Sequence, residues 1–183
     1  LLPGMISALT RDNADLDIHV RETVTPKLLQ ELAEGRLDTA IVALPVSEPS
    51  LTEMPLFEEN FVLVRPRADA DKPVPSSDML REMRLLLLEE GHCFRSQILN
   101  LCELQKFSAI NFRYETGNIE TLKRMVDKSD GITILPELAV MEFTKPQMKF
   151  VKQLKEPRPA REVSLVIHRD HLKTKLIQTL KEE

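Results

Sequence analysis

Glycine is scarce, with five in 183 residues. That excludes a collagen-like repeat, and no Gly-x-Gly-x-x-Gly or Walker-type loop is present, so no cofactor is called for. Cysteine is scarcer still. Cys93 and Cys102 are the two in the chain, too few for a disulfide scaffold. Long apolar runs are absent as well: the longest, Ala40–Leu44, falls far short of the roughly 20 residues that a membrane-spanning helix needs. No basic-plus-apolar leader opens the sequence, so the expectation is no membrane, no secretion, and a reducing, cytoplasmic compartment. An excess of positive charge is missing too. The formal net charge is −4, which gives this chain no general electrostatic reason to hold DNA, and any DNA contact is expected from another segment. Residue 1 is Leu, not Met, and the chain is expected to be a fragment.

What is present is the mixture of a folded α/β chain, 42% hydrophobic and 30% charged residues, long enough for one substantial domain or two small lobes. Leu16-Asp17-Ile18-His19-Val20 alternates as a half-buried strand does. Thr25-Pro26 offers a capping hydroxyl followed by a proline at the first helical position. Leu28, Leu29 and Leu32 then form one apolar stripe, and Gly35 provides the stop. Leu37 to Leu44 reads as a buried strand, so this opening predicts a βαβ unit in a parallel sheet. Glu59 to Val64 is another strand. Arg65 to Ser77, rich in Pro, Asp and Ser, predicts a hinge or lobe junction. A short helix over Ser77–Met83 leads to a strand at Leu85–Leu88. Asn118 caps a helix carrying Ile119, Leu122, Met125 and Val126, and Gly131 precedes a strand at Ile132–Leu135. Val163–Ile167 is the last strand, and Leu172, Leu176, Ile177 and Leu180 give a final helix its apolar face.

The chemistry concentrates between Leu88 and Cys102, where strand, glycine turn and helix follow in order. A helix beginning near Cys93 would set its thiol at a helix N-terminus, with His92 and Arg95 close in sequence. All three favour the thiolate over a thiol of ordinary pKa about 8.5. Cys102 falls one turn after Ile98 and Leu99 on an apolar face, where desolvation keeps a thiol neutral. Nine helical residues advance about 13.5 Å, and a disulfide needs Cα atoms within about 7 Å. Oxidation to a bridge would therefore require this helix to refold. On spacing alone two readings stay open, a redox switch and a pair of inert packing thiols.

Gly91-His92-Cys93-Phe94-Arg95 with a second cysteine at Cys102 resembles the redox segment of the OxyR family, LysR-type transcription activators that sense hydrogen peroxide. Weaker matches run along most of the chain: Leu1-Leu2-Pro3, Leu28-Leu29 through Gly35-Arg36-Leu37-Asp38, Pro55-Leu56-Phe57, Glu120-Thr121-Leu122 and Gly131-Ile132-Thr133-Ile134-Leu135-Pro136. These belong to LysR-type regulatory domains in general. The resemblance implies a periplasmic-binding-protein-like fold of two Rossmann-like α/β lobes. Residues 1–60 with 166–183 would form lobe I, and 61–165 would form lobe II carrying the cysteines. It further implies that Cys93 is the peroxidatic residue and Cys102 the resolving one, with His92 and Arg95 in the thiolate pocket. By the same resemblance Thr25 matches a threonine whose hydroxyl contacts peroxide, and Arg161 an arginine near the reactive sulfur. Ser96 and Asn111 depart from the family pattern. The partners implied are hydrogen peroxide, further copies of the chain in a homodimer or homotetramer, DNA through an N-terminal domain outside this chain, RNA polymerase, and a glutaredoxin- or thioredoxin-type reductant.

Two other function classes stay open. A thiol peroxidase would turn over peroxide with an external dithiol. A metabolite-gated LysR-type domain, or a solute-binding protein, would close on a small molecule while its cysteines stay inert. His168-x-x-His171 has a spacing that could bring two imidazoles to one metal, but no third ligand accompanies it and no metal site is expected.

Overall fold

The computed structural model describes residues 2–13, 16–46, 48–76, 79–80, 83–88, 93–101, 115–116, 118–129, 131–170, 177 and 180. The chain divides into two compact units, Leu1–Phe57 with Glu162–Glu183 and Glu58–Arg161. It passes from one to the other inside two strands, β2 (Leu51–Val64) and β7 (Ala160–His168).

In the first unit, α1 (Leu2–Asp12) buries Leu9. Helix α2 (Thr25–Ala33) lays Leu32, with Leu28 and Leu29 beside it, against β1 (Ala40–Ala43) and Val166 of β7. Gly35 stops α2 as its sequence position suggests. Its φ of 71° is a left-handed conformation that glycine adopts without a Cβ penalty, and its N–H donates to the Leu32 carbonyl. Two expectations for this region change. Leu16–Val20 forms no strand: nothing pairs with it among the described residues, so its alternation of half-buried and exposed side chains has no ladder to join. The expected parallel βαβ unit is thereby lost, and β1 instead pairs antiparallel with β7, Ala40 opposite Val166. Ile177 and Leu180 of the expected last helix are helical and pack with Leu165 and Ile167; Leu172 and Leu176 lie outside the described residues.

In the second unit the apolar end of β2 is its centre. Phe61–Val64 sits between β5 (Thr133–Pro136) and β6 (Val151–Gln153), antiparallel to both. Beyond β5 the order becomes parallel: Leu85 bridges Ile132, and β3 (Leu87–Leu88) pairs with β4 (Glu115–Thr116). This is the α/β alternation expected for the middle of the chain. Helix α3 (Cys93–Leu101) follows β3, and α4 (Ile119–Lys128) follows β4. The Asn118 side chain accepts from the Glu120 N–H at 2.7 Å, as the sequence predicts, and Leu122 and Val126 of α4 are buried. Gly131 leaves room for the Leu86 side chain, since a Cβ there would stand 2.8 Å from Leu86 Cγ. A 3-10 turn at Glu137–Val140 and the short helix α5 (Lys145–Met148) complete the unit.

The stretch from Arg65 to Ser76 is not a junction. It lies inside the second unit, because Arg65 is only 3% exposed and its guanidinium donates to the carbonyls of Asp69, Lys72 and Pro73. One buried cation thus folds a Pro- and Asp-rich loop onto the core. Of the helix expected over Ser77–Met83, Met79 and Leu80 are described as helical and Met83 as a bend. Among the described residues no helix is long and apolar enough to cross a membrane.

Candidate functional site

Helix α3 begins at Cys93, five residues after β3 ends at Leu88. The first turn of a helix leaves backbone N–H groups without intrahelical partners, and they bear partial positive charge. The buried anchor of the helix is Ile98, fully enclosed in the core of the second unit, with Leu99 packed against the same cluster. The backbone of Cys93 and Arg95 is placed by α3. Their side chains, together with His92, Cys102 and Asn111, lie outside the described residues. Ser96 is exposed on α3.

Thr25 belongs to the first unit, at the first residue of α2. The sequence suggests it as the capping residue, but the cap is Val24, whose carbonyl accepts from the Lys27 and Leu28 N–H groups. With Pro26 in the first turn needing no donor partner, the helix starts one residue early. The Thr25 hydroxyl takes no part in capping.

Arg161 lies in the second unit, at the start of β7. Its Nε donates to Glu59 Oε2 at 2.8 Å and its Nη2 stands 2.7 Å from the same oxygen. The guanidinium carbon is 5.9 Å from the centre of the Phe61 ring. Glu59, on β2, is 4% exposed, and its other oxygen accepts from the Leu138 backbone N–H at 2.9 Å. A buried carboxylate held by a guanidinium and a backbone amide is a charge-assisted arrangement, and removing either partner leaves the other charge uncompensated. Glu59 is not among the candidate residues that the sequence motifs single out. The signal was there: in a period-two strand Glu59 shares a face with Phe61 and Leu63, and an acid on an apolar strand face needs a cation.

A second buried carboxylate, Glu31 of α2, receives Arg21 Nη1 at 2.8 Å to each of its oxygens. It ties the segment before α2 to the helix that presents Thr25. Among the described residues no group of three or more His, Cys, Asp or Glu could hold a metal ion. His168 ends β7, and its Nδ1 accepts from the Asp170 N–H.

The sequence matches the LysR substrate binding domain family over residues 1–183. It is 34% identical over 171 residues to a probable hydrogen peroxide-inducible genes activator of Streptomyces viridosporus, covering 91% of this chain and 54% of that protein. The chain spans about half the length of the curated relatives it matches. Its fold is similar to that of an OxyR mutant from Porphyromonas gingivalis, with a TM-score of 0.88 at 32% identity over 100% of this chain and 85% of that one. A reduced form of OxyR from N. meningitidis superposes with a TM-score of 0.85 at 28% identity, covering 100% and 87% of the two chains. The fold is therefore the α/β, periplasmic-binding-protein-like one, and the chain belongs to the LysR substrate-binding domain family, where it is similar to the regulatory domains of OxyR.

Proposed function

We propose that the chain is the hydrogen peroxide-sensing regulatory domain of a LysR-type transcription activator, switched by a disulfide between Cys93 and Cys102. The observation that carries this reading is that α3 starts at Cys93 and runs unbroken to Leu101. Eight residues of helical rise set the Cα atoms of Cys93 and Leu101 about 12 Å apart. Consecutive Cα atoms are about 3.8 Å apart, so while α3 is intact the residue after Leu101 can come no nearer to Cys93 than about 8 Å, beyond the roughly 7 Å that a disulfide tolerates. A bridge is then possible only with rearrangement, and a local oxidation becomes a conformational signal.

The chemistry runs in two steps. The Cys93 thiolate attacks one oxygen of hydrogen peroxide, the O–O bond breaks, and the products are the sulfenic acid and hydroxide. The Cys102 thiol then displaces water from that sulfenic acid to give the disulfide. In sum two thiols and one peroxide yield one disulfide and two waters. Donors for the departing hydroxide would come from His92, Arg95, Thr25 and Arg161, which stabilise charge developing on oxygen. That the Thr25 hydroxyl is not engaged as a cap supports its place among them.

The reaction is stoichiometric, which sets it apart from a thiol peroxidase. Reset belongs to a glutaredoxin- or thioredoxin-type dithiol. Assembly into a homodimer or homotetramer, DNA binding through a domain outside this chain, RNA polymerase contact and a cytoplasmic site all belong to the same reading. Its similarity to hydrogen peroxide-inducible genes activators supports it.

The test is direct. The purified, reduced chain receives equimolar hydrogen peroxide, Cys93 and Cys102 are mapped by mass spectrometry, and limited proteolysis is followed across residues 91–107. One bridge per peroxide with a changed cleavage pattern is the expected result. Continuous turnover with dithiol would favour the peroxidase. A Cys93→Ser chain that still responds to its signal would favour a metabolite-gated domain.

A further inference from the structure

We infer that Glu59 is a positioning residue for peroxide reduction, acting through Arg161. The inference rests on the reading that Arg161 serves the reactive sulfur, and it adds a residue that holds one edge of the guanidinium.

Glu59 is buried, and both of its carboxylate oxygens are engaged. Oε1 is fixed by the Leu138 amide of the 3-10 turn, and Oε2 takes the Nε and Nη2 edge of Arg161. Three chain segments far apart in sequence therefore meet on one carboxylate: β2, the 3-10 turn and β7. The Phe61 ring, two residues along the same strand face, flanks the guanidinium. A guanidinium is planar, so anchoring one edge sets the plane and the direction of the remaining donors. The Leu138 amide in turn prevents the carboxylate from following Arg161 if the arginine moves. This is how a donor is held for charge that develops only in the transition state, where a misplacement of about 1 Å can cost about 100-fold in rate. Such an anchor does not alter how readily the sulfur reacts with an electrophile that expels no hydroxide.

That last point supplies the test. In a Cys102→Ser chain, so that Cys93 is the lone thiol, the second-order rate of Cys93 oxidation by hydrogen peroxide is measured by trapping the sulfenic acid. Alkylation of Cys93 by iodoacetamide is measured beside it, both as a function of pH. The variants are Glu59→Gln, Arg161→Gln and the pair together. Glu59→Gln should slow the peroxide rate at least about tenfold across the profile, with alkylation within about twofold of the parent. The double variant should be no slower than Arg161→Gln alone, the non-additivity of two residues acting as one. Glu59→Asp keeps the charge but withdraws it by a methylene, and it should show an intermediate rate.

If Arg161→Gln leaves the peroxide rate unchanged, the reading of Arg161 fails and the inference with it. If Arg161→Gln slows the reaction while Glu59→Gln does not, or the two effects multiply, the role of Arg161 stands and the positioning role of Glu59 is overturned. Equal losses in both reactions, or failure of both Glu59 variants to fold, would make Glu59 a residue of stability alone.

Discussion

At the scale of single residues, Thr25 separates structure from chemistry. A threonine that caps a helix costs about 0.5–2 kcal/mol to replace, but here Val24 starts α2 and the hydroxyl makes no capping bond. Thr25→Val should therefore leave the free energy of unfolding in urea within about 0.5 kcal/mol of the parent. In the proposed reaction the same change removes a donor for the leaving hydroxide, and the trapping rate of Cys93 sulfenic acid should fall about tenfold or more. A loss of stability without a loss of rate would return Thr25 to a purely structural part. Gly131 shows the opposite balance. Its missing Cβ leaves room for Leu86, whose Cγ would lie 2.8 Å away and which is fully buried. Gly131→Ala must push on the core where Ile132 bridges Leu85, at a cost of about 1–3 kcal/mol in equilibrium unfolding. Peroxide chemistry at Cys93 should be unaffected in the folded fraction.

At the scale of elements, α4 has the simplest ledger of local signals. Asn118 accepts from the Glu120 amide, Glu120 stands in the first turn, and Lys128 closes the last, each favourable to the helix dipole. Asn118→Ala should cost about 0.5–2 kcal/mol by urea unfolding, with native circular dichroism retained. That helix was readable from sequence because everything specifying it is local: a cap, a period of 3.6 and a glycine before the next strand. The same holds for the apolar stripe and glycine stop of α2, though its cap falls one residue earlier than the sequence suggests, and for the start of α3 at Cys93. Strand pairing was less readable, because it depends on neighbours distant in the chain. Leu16–Val20 has the right alternation and no described partner, and β1 finds β7 more than a hundred residues away instead of a parallel mate next door. The loop from Arg65 misled for a related reason. Its proline and aspartate content suggests a linker, but one arginine gathers three of its carbonyls and folds it down. At the candidate site, a helix starting at Cys93 was legible from its motif. The need of Glu59 for a cation was legible too, but not which cation, since its partner Arg161 lies 102 residues later.

At the scale of the whole chain, the consequence of joining Cys93 to Cys102 follows from what α3 is attached to. Ile98 is fully enclosed in the second unit's core and Leu99 leans on the same cluster, which also contains Phe61 to Val64 of β2 and Ile134 of β5. Bringing two cysteines nine positions apart within disulfide distance unwinds at least part of α3. Unwinding withdraws Ile98 from this cluster at a cost of about 1.5–3 kcal/mol for one large aliphatic side chain. The two-electron oxidation must supply that cost, and the rest of the core has no reason to follow, since β2 is held by β5 and β6 through its own ladder. Hydrogen exchange followed peptide by peptide should therefore show protected amides at 97–101 in the reduced chain, exchanging much faster after one equivalent of peroxide. Amides at 61–64 and 133–136 should keep their protection in both states. In a Cys102→Ser chain Cys93 still reaches the sulfenic acid, but with no bridge the 97–101 amides should stay protected. Loss of protection in that variant would place the switch at the first oxidation step instead of the second. A bridged chain with α3 still protected would mean that oxidation of the pair carries no conformational signal.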